Sequence, residues 1–301
     1  MKAVRLHAYG GVDQLRYEDV ATPEPGPDEV LVKVAATSVN PIDWKLRSGA
    51  AKSIITVKFP AILGRDVAGT VAKPGVNVRN PHPGQKVMGL VNGSYAEYLT
   101  ARADHLTVIP DGLELEQAAA LPLVVTTGAQ LIQRMRPKPG DVVLVTGALG
   151  NVGRAAVYLA KNQGTRVLAG VKTEQKEQAN SLSVDQVVAI DDSREIAELP
   201  ELDAIADTVD HDVIGKLIPK LKSGGVLGSV LGTPKEAEGK DIRVEAFMST
   251  PDASLLRQMA DAVRDHKLVI PIVRRMGLSE AGEAQTLAEK GSLGGKILLI
   301  P

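Results

Sequence analysis

The chain contains no cysteine in its 301 residues. That absence excludes disulfides, thiolate zinc sites, iron–sulfur clusters and cysteine nucleophiles together. Aromatic residues are scarce, at 3%, with two Phe and one Trp, so a pocket is expected to be lined mainly by aliphatic groups. Net charge is almost nil, at −1, which predicts no general attraction to nucleic acid or to an anionic membrane surface. No run approaches the roughly 18 consecutive apolar residues of a membrane-spanning helix. The opening MKAVRLHAYGG lacks the apolar core of a signal peptide and reads as a first strand. A cytoplasmic location is expected, with which the absence of cysteine is compatible. Internal repeats and low-complexity tracts are missing as well.

What is present is ample core material, with 44% hydrophobic residues, on a chain long enough for two domains of about 150 residues each. Residues 1–110 hold short β-like runs, such as Lys2–His7, Glu29–Val34, Val67–Ala72, Lys86–Met88 and Tyr95–Thr100. Turn-rich Thr22–Glu29 and Lys73–Gln85 separate some of them, the pattern of a mostly antiparallel domain. From Glu116 onward helix and strand signals alternate, which predicts a doubly wound α/β sheet. Ser254–His266 reads as an amphipathic helix, and KILLIP as a terminal strand.

The most specific stretch is Val142–Lys172. Val142–Val145 is an apolar β-branched run, as expected of a strand covered on both faces. After it, Ala148, Gly150 and Gly153 stand at the three positions of a G-x-G-x-x-G template. The second glycine allows a pyrophosphate to approach the backbone, and the third allows close packing of helix on strand. Ala148 departs from the template, so the tight turn must be made without a left-handed residue there. A helix from Val152 to about Lys161 turns Ala156, Val157 and Ala160 inward, and its N-terminus offers free N–H groups to phosphate. Candidate cofactor-binding residues are Ala148, Leu149, Gly150, Asn151 and Val152.

The end of the second strand bears on which dinucleotide binds. A carboxylate there would hold the ribose 2′-hydroxyl of NAD. This chain has Gly170, Val171 and Lys172, with Lys176 one turn further, and two lysines favour the extra phosphate of NADP. The competing reading makes Lys172 and Lys176 a solvated face beside Glu174 and Glu177.

Six segments in order, Asn40–Gly49 (NPIDWKLRSG), Gly64–Val71 (GRDVAGTV), Gly93–Tyr98 (GSYAEY), Thr126–Gln130 (TTGAQ), Pro139–Gly153 and Gly294–Ile300 (GGKILLI), resemble the medium-chain dehydrogenase/reductase superfamily. Within it they are most similar to the zinc-independent quinone oxidoreductase and alkenal/enone reductase branch. The resemblance implies a GroES-like catalytic domain over 1–120, completed by 267–301, and an NADP-binding Rossmann domain over 121–266. It also implies a homodimer, a small-molecule quinone or enone substrate, and hydride transfer from NADPH. Where zinc members of the superfamily carry ligands, this chain has NPID, Gly64–Arg65–Asp66 and Leu123, which predicts no catalytic zinc. His7, His82, His105, His211 and His266 are too scattered to replace it.

By the same resemblance Asn40 stands beside the nicotinamide and its ribose, although Asn40, Pro41 and Asp43 also fit a helix cap. Lys45 lies near the position where many quinone reductases carry Tyr, and could polarise a carbonyl or anchor ribose. The alternative is that Lys45 and Arg47 are solvent-facing charges. Thr127 matches a threonine near the nicotinamide, with helix capping as the plainer role. Val230 and Leu231 follow a predicted strand end, where their backbone would line the carboxamide. Asp66 is expected to support the fold by pairing Arg65 or Arg47. Trp44 reads as core or as a pocket wall. Ser48–Phe59 and Thr233–Phe247 are expected to be substrate-lining loops. Two other readings stay open, a non-catalytic NADPH-binding protein and an alcohol dehydrogenase.

Overall fold

The computed structural model describes residues 1–209, 211–291 and 293–301, and the side chain of His211 also lies outside the described set. The chain begins with β1 (Lys2–Leu6), β2 (Leu15–Asp19), β3 (Glu29–Ser38), α1 (Pro41–Ser48), β4 (Ala61–Ile62), β5 (Asp66–Pro74), β6 (Lys86–Leu90), β7 (Tyr98–Arg102) and β8 (Leu106–Val108). Helices α2 (Leu115–Ala119) and α3 (Pro122–Met135) follow. Next come β9 (Val142–Thr146), α4 (Asn151–Asn162), β10 (Arg166–Val171), α5 (Lys176–Ala179), β11 (Gln186–Ala189) and α6 (Ser193–Glu198). The rest is β12 (Leu202–Asp207), α7 (His211–Leu217), β13 (Leu221–Ser229), β14 (Ile242–Ala246), α8 (Ala253–Arg264), β15 (Ile272–Gly277), α9 (Ala281–Glu289) and β16 (Lys296–Ile300).

Tertiary contacts divide the chain into two units. The first comprises Met1–Leu123, Pro251–His266 and Ile270–Pro301. Its larger sheet runs β15-β16-β3-β5-β6-β8, with β7 also on β3, and every pairing except β15 with β16 is antiparallel. This is the GroES-like domain. Alternation along β3 drives Val30, Val32 and Val34 into one apolar cluster with Val67, Val71, Val87 and Leu99. The terminal strand β16 lies antiparallel to the end of β3, with Leu299 opposite Thr37 and Leu298 opposite Ser38. That register carries Lys296 to the start of α1. The helix α8, expected in the nucleotide domain, packs in this first unit. Its Leu255, Leu256, Met259 and Ala262 are buried, and Arg257 donates to the carbonyl of Val108 in β8.

The second unit, Val124–Thr250 with Lys267–Val269, holds a sheet ordered β11-β10-β9-β12-β13-β14. All of its pairings are parallel. Counted from β9, the order is 3-2-1-4-5-6, the doubly wound Rossmann arrangement, which reverses direction between β9 and β12. Val143, Leu144, Val145, Val167, Leu168 and Ile205 are fully buried, as strands covered on both faces require. β14 falls inside Thr233–Phe247, where the sequence suggested only a loop. Its residues Ile242–Ala246 mix two charges with partly exposed apolar groups, so the strand signal is weak and pairing with β13 decides it.

Candidate functional site

The glycine turn sits at the carboxyl end of β9, beside the point where strand order reverses, the usual place for a ligand in such a sheet. Its left-handed residue is Gly147, at φ 59°. That explains how Ala148 can occupy the first template position: the turn is made one residue earlier. A Cβ on Gly147 would lie 2.3 Å from Val209 Cγ1. A Cβ on Gly153 would lie 2.1 Å from the Gly147 carbonyl oxygen, so glycine is required for α4 to approach the turn. Gly128 of α3 meets α4 as closely, since a Cβ there would lie 2.4 Å from the Val152 carbonyl. Thr127 is therefore held one residue from that contact.

The first i→i−4 bond of α4 runs from Arg154 N–H to the Gly150 carbonyl at 2.8 Å. The N–H groups of Asn151, Val152 and Gly153 precede it and have no acceptor inside the helix. Asn151 adds a buried Oδ1 without a partner among the described residues. This turn can take an anion on backbone donors. Arg154, which the sequence reading passed over, steadies it by donating from Nε to the Leu149 carbonyl at 2.9 Å. Leu149 is buried, so within the turn it packs the apolar interior.

Gly170 is buried in β10, and its carbonyl accepts from the Ala148 N–H at 3.2 Å. It supports the turn from beneath. Lys172 is exposed just past the strand end. Lys176 differs, because its ammonium is 2.6 Å from Glu195. Asp191 lies at the same sheet end, and both the N–H and the hydroxyl of Thr173 donate to its Oδ1, at 2.8 and 2.9 Å. Desolvation is the largest single effect on its carboxyl and raises it, but these two donors, then its own backbone N–H and Lys172, together hold it below the ordinary range. At the ends of β9, β12 and β13, Asp207 accepts from Thr146 and Ser229 at 3.0 and 3.1 Å. Val230 N–H donates to the Asp207 carbonyl at 3.3 Å and Leu231 N–H to Ser229 Oγ at 3.1 Å. The N–H groups of Val230 and Leu231 are thus bonded to the ends of β12 and β13.

The first unit holds a second polar assembly, around Asn40. Asn40 and Asp66 are 0% exposed and Lys296 is 3% exposed. Asn40 Nδ2 donates to Asp66 Oδ2 at 2.7 Å, and Asn40 Oδ1 accepts from Lys296 Nζ at 2.6 Å. Lys296 also reaches the Val39 carbonyl and Asp66 Oδ2, both at 3.2 Å. Asp66 further accepts from the Ser38 hydroxyl, and from the Leu123 N–H at 2.7 Å. The expected partners of Asp66 are therefore corrected. Arg65 instead donates to Asn92 at 2.7 Å, and Arg47 to Gln285 and Glu289 at 3.0 and 2.9 Å. Arg47 is buried, not solvent-facing. Composition gave no hint of Lys296, because a lysine opening an apolar strand usually points to solvent.

The cap at α1 is one-sided. Asp43 reaches back to the Asn40 N–H at 2.8 Å, while the Asn40 amide turns inward to Asp66 and Lys296. Asp43 also accepts from the Tyr95 hydroxyl at 2.9 Å, and its Oδ1 is buried without a partner among the described residues. Burial pushes the Asp43 carboxyl up to about 7, against the opposing pull of the Asn40 N–H and the Tyr95 hydroxyl. Lys45 lies on the exposed side of the same helix, with no side-chain hydrogen bond seen among the described residues. Trp44 packs against the apolar cluster that includes Leu46, Tyr95 and Leu299, so its role is core.

Residues 26–111 match the alcohol dehydrogenase GroES-like domain family, and residues 182–299 the zinc-binding dehydrogenase family. Over its whole length the chain is 31% identical to the NADPH-dependent alkenal/one oxidoreductase, chloroplastic, of Arabidopsis thaliana, covering 80% of that protein. The chain belongs to the medium-chain dehydrogenase/reductase superfamily. It is 30% identical to the quinone-oxidoreductase QR1, chloroplastic, of Triphysaria versicolor, covering 98% of it. The solved quinone oxidoreductase of Coxiella burnetii superposes with a TM-score of 0.91 at 32% identity, covering 100% of this chain and 99% of that one. As a member of this superfamily the protein is an oxidoreductase.

Zinc, implied by the name of one matching family, can be tested against the donors present. Around Asn40 and Asp66 the chain supplies an amide, the Asp66 carboxylate already saturated with hydrogen bonds, the Asp43 carboxyl that burial pushes up to about 7, and the cations Arg65 and Lys296. Among the described residues no three His, Cys, Asp or Glu side chains group to hold a metal ion. Such donors do not fit a tetrahedral zinc ion. Nor is any helix among the described residues long and apolar enough to cross a membrane.

Proposed function

We propose that the protein is an NADPH-dependent reductase of quinones or α,β-unsaturated carbonyls, working without zinc. The observation that carries this reading is the glycine turn, with α4 N–H donors that have no acceptor inside the helix, coupled to an exposed Lys172 at the end of β10. When bound, NADPH would supply the hydride, as the names of the plant relatives suggest. The N–H groups of Asn151, Val152 and Gly153 would receive the pyrophosphate, with Ala148, Leu149 and Gly150 shaping the turn and Gly170 bracing it. Lys172 would meet the 2′-phosphate. Lys176 would contribute less, because Glu195 already balances its charge. Thr127, Val230 and Leu231 would border the nicotinamide. Lys45 would polarise the acceptor carbonyl, and Asn40 would act from within by holding the start of α1. Catalysis would rest on positioning and electrostatics more than on an acid–base pair.

The catalytic part is assigned to 1–120 with 267–301 and the nucleotide part to 121–266; the two contact units differ from these bounds at 121–123, at 251–266, which holds α8, and at 267–269. A homodimer is also part of this reading. The test is cofactor oxidation by chelator-treated protein, NADPH beside NADH, against one quinone and one 2-alkenal. Fast NADPH oxidation with either acceptor supports the reductase, and the better acceptor names the branch. A second reading, NADPH binding without turnover, draws on the complete internal bonding of Asn40. Tight NADPH binding with no oxidation would favour it.

A further inference from the structure

The ammonium of Lys296 has three donors, and the interior gives it three acceptors: the Val39 carbonyl, Asn40 Oδ1 and Asp66 Oδ2. An ion pair buried this deeply is seldom a net source of stability, since well-packed apolar groups of similar volume serve as well. Its distinctive property is direction. The tripod fixes which end of the Asn40 amide faces which partner, and it does so where β3 turns into α1. The neighbouring residue of the last strand grips the same point, because Val39 N–H donates to the Ile297 carbonyl at 3.0 Å. On its other side Asp66 takes the Leu123 N–H in the first turn of α3, the helix that carries Thr127. One ammonium thus orients the starts of two helices on which proposed functional residues stand.

We propose that Lys296 is a positioning residue of the reductase, setting through Asn40 and Asp66 the placement of α1 and of its Lys45. The proposal rests on the reductase reading above. It predicts an effect on turnover that does not follow from stability, whereas a mere charge balancer would affect turnover only through folding.

The experiment compares wild type, Lys296→Met and the double variant Asp66→Asn/Lys296→Met. Melting temperature, NADPH affinity, kcat and acceptor KM are measured for each. Lys296→Met leaves Asp66 buried and unbalanced and is expected to melt lower. The double variant removes both charges and is expected to recover most of that loss, which keeps the test valid should the single variant fail to fold. With correct positioning lost, kcat of the double variant should remain down by about tenfold or more, with NADPH affinity at the glycine turn within about threefold of wild type. A double variant with wild-type kcat would overturn the proposal and leave the reductase intact. A wild-type protein that oxidises NADPH with neither acceptor would overturn the reductase reading and this proposal together.

Discussion

The Tyr95 hydroxyl donates to Asp43 Oδ2 at 2.9 Å, and both side chains are fully buried, one on α1 and the other in the loop before β7. The bond shares an interior in which an ionised carboxylate is costly. It follows that the folded protein keeps a proton on Asp43 up to about pH 7, whereas an ordinary carboxyl releases it near 3.8. Between those values the folded state binds more protons than the unfolded one, so this group's contribution to stability falls as pH rises.

Asp43→Asn keeps a neutral side chain at every pH and should lose that dependence. Melting temperatures at about pH 5 and about pH 8 should show wild type declining by several degrees more than the variant. Parallel profiles would mean that Asp43 is ionised in the fold.

Gly153→Ala places a methyl against the Gly147 carbonyl. Backbone cannot yield there as a flexible side chain could, so the expected cost is about 2 kcal/mol or more, together with weaker NADPH binding. Denaturant unfolding and cofactor titration check both. A variant of unchanged stability and affinity would disprove the tight α4 approach.

Lys172→Glu should weaken NADPH by about tenfold while sparing NADH. Lys176→Glu should do less, because Glu195 already sits against that ammonium. Binding of both cofactors to both variants is the measurement. Equal losses for NADPH and NADH would remove the 2′-phosphate assignment.

Lys45→Ala is expected to lower kcat by about tenfold or more, with little change in melting temperature, since the side chain is exposed. Normal turnover of quinone and 2-alkenal would return Lys45 to a plain surface charge.

Exhaustive chelation should leave activity unchanged, because the donors near Asn40 and Asp66 do not fit zinc. Metal content by mass spectrometry and activity before and after chelation test this together. Activity that disappears and returns with added zinc would contradict it.

The legible parts were those with a local period or a local steric demand. The apolar β-branched run of β9, the spacing of Gly150 and Gly153 and the amphipathic α4 carry a nucleotide fold in their own chemistry, and the parallel sheet followed from their repetition. Strand β14 was illegible because a short edge segment with mixed charges becomes a strand only when a neighbour presents a free ladder. The polar assembly was half legible. Asn40, Pro41 and Asp43 announce a helix start within four residues. Nothing local says that the amide of Asn40 turns away from its own helix, or that Asp66 finds Lys296 in place of the nearby Arg65.

The sequence by itself therefore determined the two domains' character, the glycine turn and the absence of thiolate chemistry, since each depends on residue type and short spacing. Only the tertiary structure decided which ammonium neutralises Asp66, which lysine at the end of β10 is held against Glu195, and that the left-handed residue is Gly147. The Lys296 contact joins residues 256 positions apart from Asn40. Such pairings arise from sheet register and burial, where the cost of leaving a charge unmatched selects a partner that no local pattern names.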